Sequence, residues 1–109
     1  MMNVLPVKIG ETFQMELAFA NDDGTPFDLM GCSILAQVRD LLGNLVDTLA
    51  VLVWLDTPNV AQISEPTDWW PAGTLLLDMV VRDLGTGIVT YSDTIQIRAS
   101  APISLGVVV

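Results

Sequence analysis

From Thr12 to Phe19 the chain reads TFQMELAF, with Phe13, Met15, Leu17 and Phe19 alternating with Thr12, Gln14, Glu16 and Ala18. Side chains of an extended backbone point to opposite faces in turn, so this period of two specifies a strand with one dry face and one wet face. The stretch CSILAQVR, Cys32 to Arg39, repeats the pattern, with Ile34, Ala36 and Val38 on one face and Ser33, Gln37 and Arg39 on the other. Leu35 is the one apolar residue on the polar side. Thr74 to Arg82 and Ile88 to Arg98 read as further strands, Val60 to Ser64 as a short one, and Leu45 to Leu55 as a long strand with a bend. The core face predicted from this alternation holds Phe13, Met15, Leu17, Ile34, Ala36, Val38, Leu75, Leu77, Met79, Ile95 and Ile97.

Between these runs lie clusters of Asn, Asp, Gly and Pro, the residues that turns require. They are NDDGTPFDL at Asn21 to Leu29, DTPN at Asp56 to Asn59, and EPTDWWPAG at Glu65 to Gly73, which is expected to hold one helical turn between Pro66 and Pro71. No stretch has the apolar spacing of an amphipathic helix. Seven to eight short strands joined by such turns specify an antiparallel β-sandwich, an all-β fold.

An internal echo supports this reading. VRDLLGNLV at Val38 to Val46 returns as VRDLGTGIV at Val81 to Val89. In both, a strand ends on Arg-Asp and a Gly-bearing turn leads into the next strand. Sequences outside the echo do not match, so it marks two hairpin ends, not a duplicated domain. Gly43-Asn44 and Gly85-Thr86-Gly87 are expected to supply the positive φ values of tight turns.

Charge and composition narrow the function. The chain has 109 residues, the size of one domain, with 13 acidic residues against 4 basic ones and a net charge of −9. That field repels nucleic-acid phosphates and anionic membrane surfaces, so neither is an expected partner. Apolar residues make up 51% of the chain and charged ones 16%, with a mean hydropathy of +0.55. Soluble domains carry about 25% charged residues, so part of this surface is expected to be covered by partners, and a homo-oligomer is expected.

Enzyme chemistry is not expected. The chain has no His, which removes the commonest general base and metal ligand. Asp28, Asp78 and Asp93 are carboxylates expected near the core, but nothing in the sequence pairs them as a hydrolase requires. The single cysteine, Cys32, reads as a small buried hydrophobe. NDDG at Asn21 to Gly24 lacks the alternating oxygens and distal Glu of a calcium loop. No catalytic residue, metal or cofactor is therefore assigned. The first ten residues lack a cationic start with a long apolar core, so they are not read as a signal peptide, and synthesis in the cytoplasm is expected.

Several short motifs resemble those of small bacteriophage virion proteins: Gly10-Glu11, Asp28-Leu29-Met30-Gly31, Arg39, Trp70-Pro71-Ala72-Gly73 and Asp78. They look like the immunoglobulin-like N-terminal module of phage upper-baseplate and tail-fibre-associated proteins, over roughly residues 8–98. Met30 stands where that pattern has Thr. The resemblance implies an immunoglobulin-like sandwich, and a structural virion protein of baseplate, tail fibre or head and neck. It would bind other phage structural proteins in the particle, after synthesis in the bacterial host cytoplasm. The alternative is a carbohydrate-binding receptor-recognition module that uses Trp54, Trp69 or Tyr91 for sugar stacking.

Candidate interface residues follow. Trp70 is expected in the core, Trp54 in the core or on a sheet face, and Trp69 pointing outward as an interface anchor, with partial burial against its own loop as the alternative. The tail SAPISLGVVV carries no charged side chain, and Ile103, Leu105, Val107, Val108 and Val109 form an apolar segment. Soluble proteins normally guard such a segment with charge. It reads as a strand donated to a neighbouring subunit, or else as the final edge strand of its own sandwich. Residues 1–109 thus form one domain, with 1–7 and 100–109 as candidate assembly arms.

Overall fold

The computed structural model describes residues 4–101, and these form an immunoglobulin-like β-sandwich. The strands are β1 (Val4–Lys8), β2 (Thr12–Ala18), β3 (Cys32–Asp40), β4 (Leu45–Leu49), β5 (Val51–Leu52), β6 (Val60–Pro66), β7 (Gly73–Asp83), β8 (Val89–Tyr91) and β9 (Ile95–Ser100). One sheet runs β1-β9-β7-β3-β4, with β8 also paired to β7, and the other runs β2-β6-β5. Every pairing is antiparallel except β1 with β9, which is parallel and aligns Val4 with Gln96 and Lys8 with Ser100.

Two runs that read as single strands are each divided. Leu45 to Leu55 breaks at Ala50, so that β4 pairs with β3 in the large sheet and β5 pairs with β6 in the small one. This run therefore carries the chain from one layer to the other. Ile88 to Arg98 breaks between β8 and β9, which pair with different halves of β7. The expected helical turn after Pro66 is absent. A single turn replaces it, in which the Trp70 N–H donates to the Thr67 carbonyl at 3.0 Å. Residues 4–7, part of one candidate arm, lie in β1 and pair with the chain's own β9. Residues 102–109 of the other candidate arm lie outside the described residues.

The alternation does fix the core. Phe13, Ala36, Val38, Leu75, Leu77, Met79 and Ile97 are buried, and Met15, Leu17, Ile34 and Ile95 are partly buried against them. Full burial of a Leu or Met side chain is worth about 1.5–3 kcal/mol, so this layer supplies most of the drive to fold. Trp70 closes one end. Its ring packs 5.4 Å from that of Phe13, and its Nε1–H donates to Asp47 Oδ2 at 3.0 Å. Cys32 is partly buried and packs against the core.

The echo is now explained. β3 and β7 are antiparallel neighbours, and each ends on Arg-Asp at an opposite end of the sandwich. In both, the Asp side chain folds over its own turn. Asp40 Oδ1 accepts from the main-chain N–H groups of Leu42 and Asn44, and Asp83 Oδ1 accepts from those of Gly85 and Thr86. Gly43 and Gly87 take φ values of 88° and 77°, while Asn44 and Gly85 do not have positive φ. The recurring Asp is thus a turn cap, a role available to a short carboxylate two to four residues before free N–H groups.

Candidate interaction surface

The outer face of the large sheet departs from the simple scheme of wet outside and dry inside. Register with the buried residues places Leu35, Gln37 and Arg39 of β3 outward, beside Val80, Asp78 and Leu76 of β7. Tyr91 of β8 sits opposite Val80, and Val89 opposite Arg82. Gln96 and Arg98 of β9 sit opposite Leu76 and Thr74. Leu35, Val80 and Tyr91 thus form an apolar row across three strands, with Val89 next to it on one side and the Gln37–Asp78 pair between it and Leu76 on the other. Tyr91 is 69% exposed and Leu35 44%, so the row is open to solvent. A shallow depression beside it is walled by Leu41 and Gly43 of the β3–β4 turn.

The sequence signal for this face was Leu35, the one apolar residue on the polar side of its strand. Leu76 and Val80 were hidden in the run LLLDMVV, where inward and outward apolar residues cannot be told apart until the sheet registers are known.

The other aromatic residues do not join this face. Trp54 is on the small sheet's side, 54% exposed, with its Nε1–H donating to Gln62 Oε1 at 2.7 Å. Tyr91 belongs to the large sheet, so the two lie in different layers and cannot form one sugar-stacking platform. Trp69 is 53% exposed, on the turn between β6 and β7. Ile103, Leu105, Val107, Val108 and Val109 lie outside the described residues.

Several carboxylates serve turns. Asp28, Asp78 and Asp93, expected near the core, are all exposed. Asp28 Oδ1 accepts from the Met30 N–H and caps the DLMG turn. Asp23 accepts from both the hydroxyl and the N–H of Thr25. These bonds, the hydroxyl's first, hold the Asp23 carboxyl below its ordinary range. The Asn44 side-chain amide, followed by the main-chain N–H groups of the turn, does the same for Asp40. Burial, then the nearby charges of Asp83 and Asp28, pushes the Cys32 thiol up, which disfavours its nucleophilic thiolate form. Among the described residues, no three His, Cys, Asp or Glu side chains gather where a metal ion would bind.

No family model matches the chain, and no curated protein does. Among solved structures, it is similar to the crystal structure of CopC from Methylosinus trichosporium OB3b, with a TM-score of 0.62. The match covers 94% of this chain and 89% of that one at 14% identity, a likeness of fold alone. The expectation of a bacteriophage structural protein, with a carbohydrate-binding receptor module as its alternative, is corrected here. One solved structure that shares the fold over nearly the whole chain is CopC, which points away from a phage structural role.

Proposed function

We propose that the chain is a non-catalytic interaction module that associates with further copies of itself through the outer face of its large sheet. The observation that carries this reading is the open row Leu35–Val80–Tyr91, with Val89 beside it. In a sandwich, the outer faces normally hold the polar half of each strand. Here a row across one outer face is apolar, and its aromatic member is Tyr, a residue enriched where interfaces bury an apolar body and keep a polar tip wet. The high apolar fraction of the chain agrees with a surface that is covered in use. Asp23, Asp28, Asp40 and Asp83 cap turns, and among the described residues no cluster of three His, Cys, Asp or Glu side chains gathers, which supports a binding role over a catalytic one.

Sedimentation velocity across a range of protein concentrations tests the proposal. Wild-type protein is expected to associate. Leu35→Glu and Tyr91→Glu, both at exposed positions, are expected to dissociate it while leaving the circular dichroism spectrum unchanged. A wild-type chain that stays monomeric at every concentration refutes the reading. Removing residues 102–109 asks separately whether the apolar tail adds to the same association.

A further inference from the structure

The chain has four cationic side chains, and three of them, Arg39, Arg82 and Arg98, stand on the outer face just described. All three are exposed. Against them, the strand positions of this face carry one carboxylate, Asp78. In a molecule of net charge −9, this is a local inversion of sign. The Arg39 guanidinium donates to the Gly43 carbonyl at 2.9 Å and to Gln37 Oε1 at 3.0 Å. Both acceptors are neutral, so these bonds orient its charge without cancelling it.

That inversion decides which pairing of copies fits. A two-fold contact of this face with itself would set each copy's three arginines against the other's three. Like charges brought together in a drying seam cost several kcal/mol, so charge opposes the symmetric dimer. The opposite sign lies at one end of the sandwich. There the β2–β3 loop and the β5–β6 loop are tied by hydrogen bonds from the Phe19 N–H to the Asn59 carbonyl and from the Leu29 N–H to the Pro58 carbonyl. These loops carry Asp22, Asp23, Asp28 and Asp56, all exposed, and residues 19–31 and 53–59 contain no Lys or Arg. Leu55 and Met30 beside them are 79% and 47% exposed, which gives this end apolar surface as well as charge.

We infer that the arginine-bearing face of one copy docks on the acidic loop end of a second copy. This rests on the self-association proposed above and names its partner surface. The contact joins two different surfaces, so it is heterologous, and repetition builds a ring or an open chain. Guanidinium groups suit the task because they form forked bonds to carboxylates and stack on aromatic rings such as Tyr91.

The experiment is sedimentation velocity of the full chain and two charge-reversal variants, alone and mixed. Arg82→Glu/Arg98→Glu blocks the face, and Asp22→Lys/Asp23→Lys blocks the loop end. Each variant alone is expected to associate about tenfold or more weakly than wild type, and high salt is expected to weaken the wild type. Mixed together, the two variants pair an intact face with an intact loop end, and their reversed surfaces, Glu against Lys, are complementary as well, so the mixture is expected to associate more strongly than either variant alone. An Asp22→Lys/Asp23→Lys protein that associates as wild type does, yet is dissociated by Leu35→Glu, overturns this inference and leaves the proposed function standing. A wild type that never associates overturns both. Should either charge reversal lower the melting temperature, the neutral pairs Arg82→Gln/Arg98→Gln and Asp22→Asn/Asp23→Asn give the same ordering with smaller effects.

Discussion

Gly73 opens β7 after the Trp70-Pro71-Ala72 turn, and its φ is 123°, in the half of conformational space that a Cβ disfavours. A Cβ built on it meets no heavy atom within 4 Å. The cost of Gly73→Ala is therefore backbone strain without a steric clash. Holding a non-Gly residue in such a region costs about 1–3 kcal/mol. The substitution also removes freedom from the unfolded chain, which returns about 0.4–1 kcal/mol. The net loss is about 1–2 kcal/mol. A domain of this length loses roughly 4 °C of Tm per kcal/mol, so Gly73→Ala is expected to melt about 4–8 °C lower by scanning calorimetry. Gly31→Ala is the matched control. Its Cβ also meets nothing within 4 Å, but its φ lies outside the left-handed region. Only the unfolded-state effect remains there, so that variant should melt at or slightly above the wild-type temperature. If the two variants melt together, the strain argument fails.

Thr67→Val is expected to cost about 1–3 kcal/mol in urea unfolding. Thr67 is fully buried, its hydroxyl donates to the Glu11 carbonyl at 2.6 Å and accepts from the Gly10 N–H at 3.0 Å, and Val would leave both main-chain groups unpaired. Thr67→Ser should recover most of that loss, and equal stabilities for the two variants would show that packing, not the hydroxyl, fixes this corner. Trp70→Phe keeps an aromatic ring beside Phe13 but removes the bond to Asp47, so a loss of about 1–2 kcal/mol is expected, checked by the same unfolding curves. The Asp40 carboxyl titrates below its ordinary range in the folded chain, so its contribution is present above the unfolded pKa of about 3.9 and is lost as pH falls through the lower folded value. The difference in Tm between wild type and Asp40→Ala should therefore be full near neutral pH and shrink in acid below about pH 4. A difference independent of pH would show that the charge of Asp40 plays no part in the turn.

Alternation along β2 and β3 was enough to specify strands and choose their buried side, because burying the polar half of either would leave its groups without water. Turn residues placed most of the breaks between strands for a similarly local reason: a positive φ or a side-chain cap acts within a few residues. The two Arg-Asp-Leu turns were legible in this way, down to the glycines at 43 and 87, although the capping by Asp40 and Asp83 was not foreseen. What the sequence could not supply was anything that depends on which strand lies beside which. Leu45 to Leu55 is apolar apart from Asp47 and Thr48, and although a bend is expected in it, nothing marks Ala50 as the point where it leaves one sheet for the other. The parallel pairing of β1 with β9 joins the two ends of the described chain, and no local signal encodes it. The candidate surface is of the same kind. Arg39, Arg82 and Arg98 are far apart in sequence and unremarkable one by one, and Leu76 and Val80 look like core residues. Only the registers of β3, β7, β8 and β9 bring them onto one face, because neighbouring strands decide which residues share a surface, and each strand's own sequence decides only which of its residues alternate.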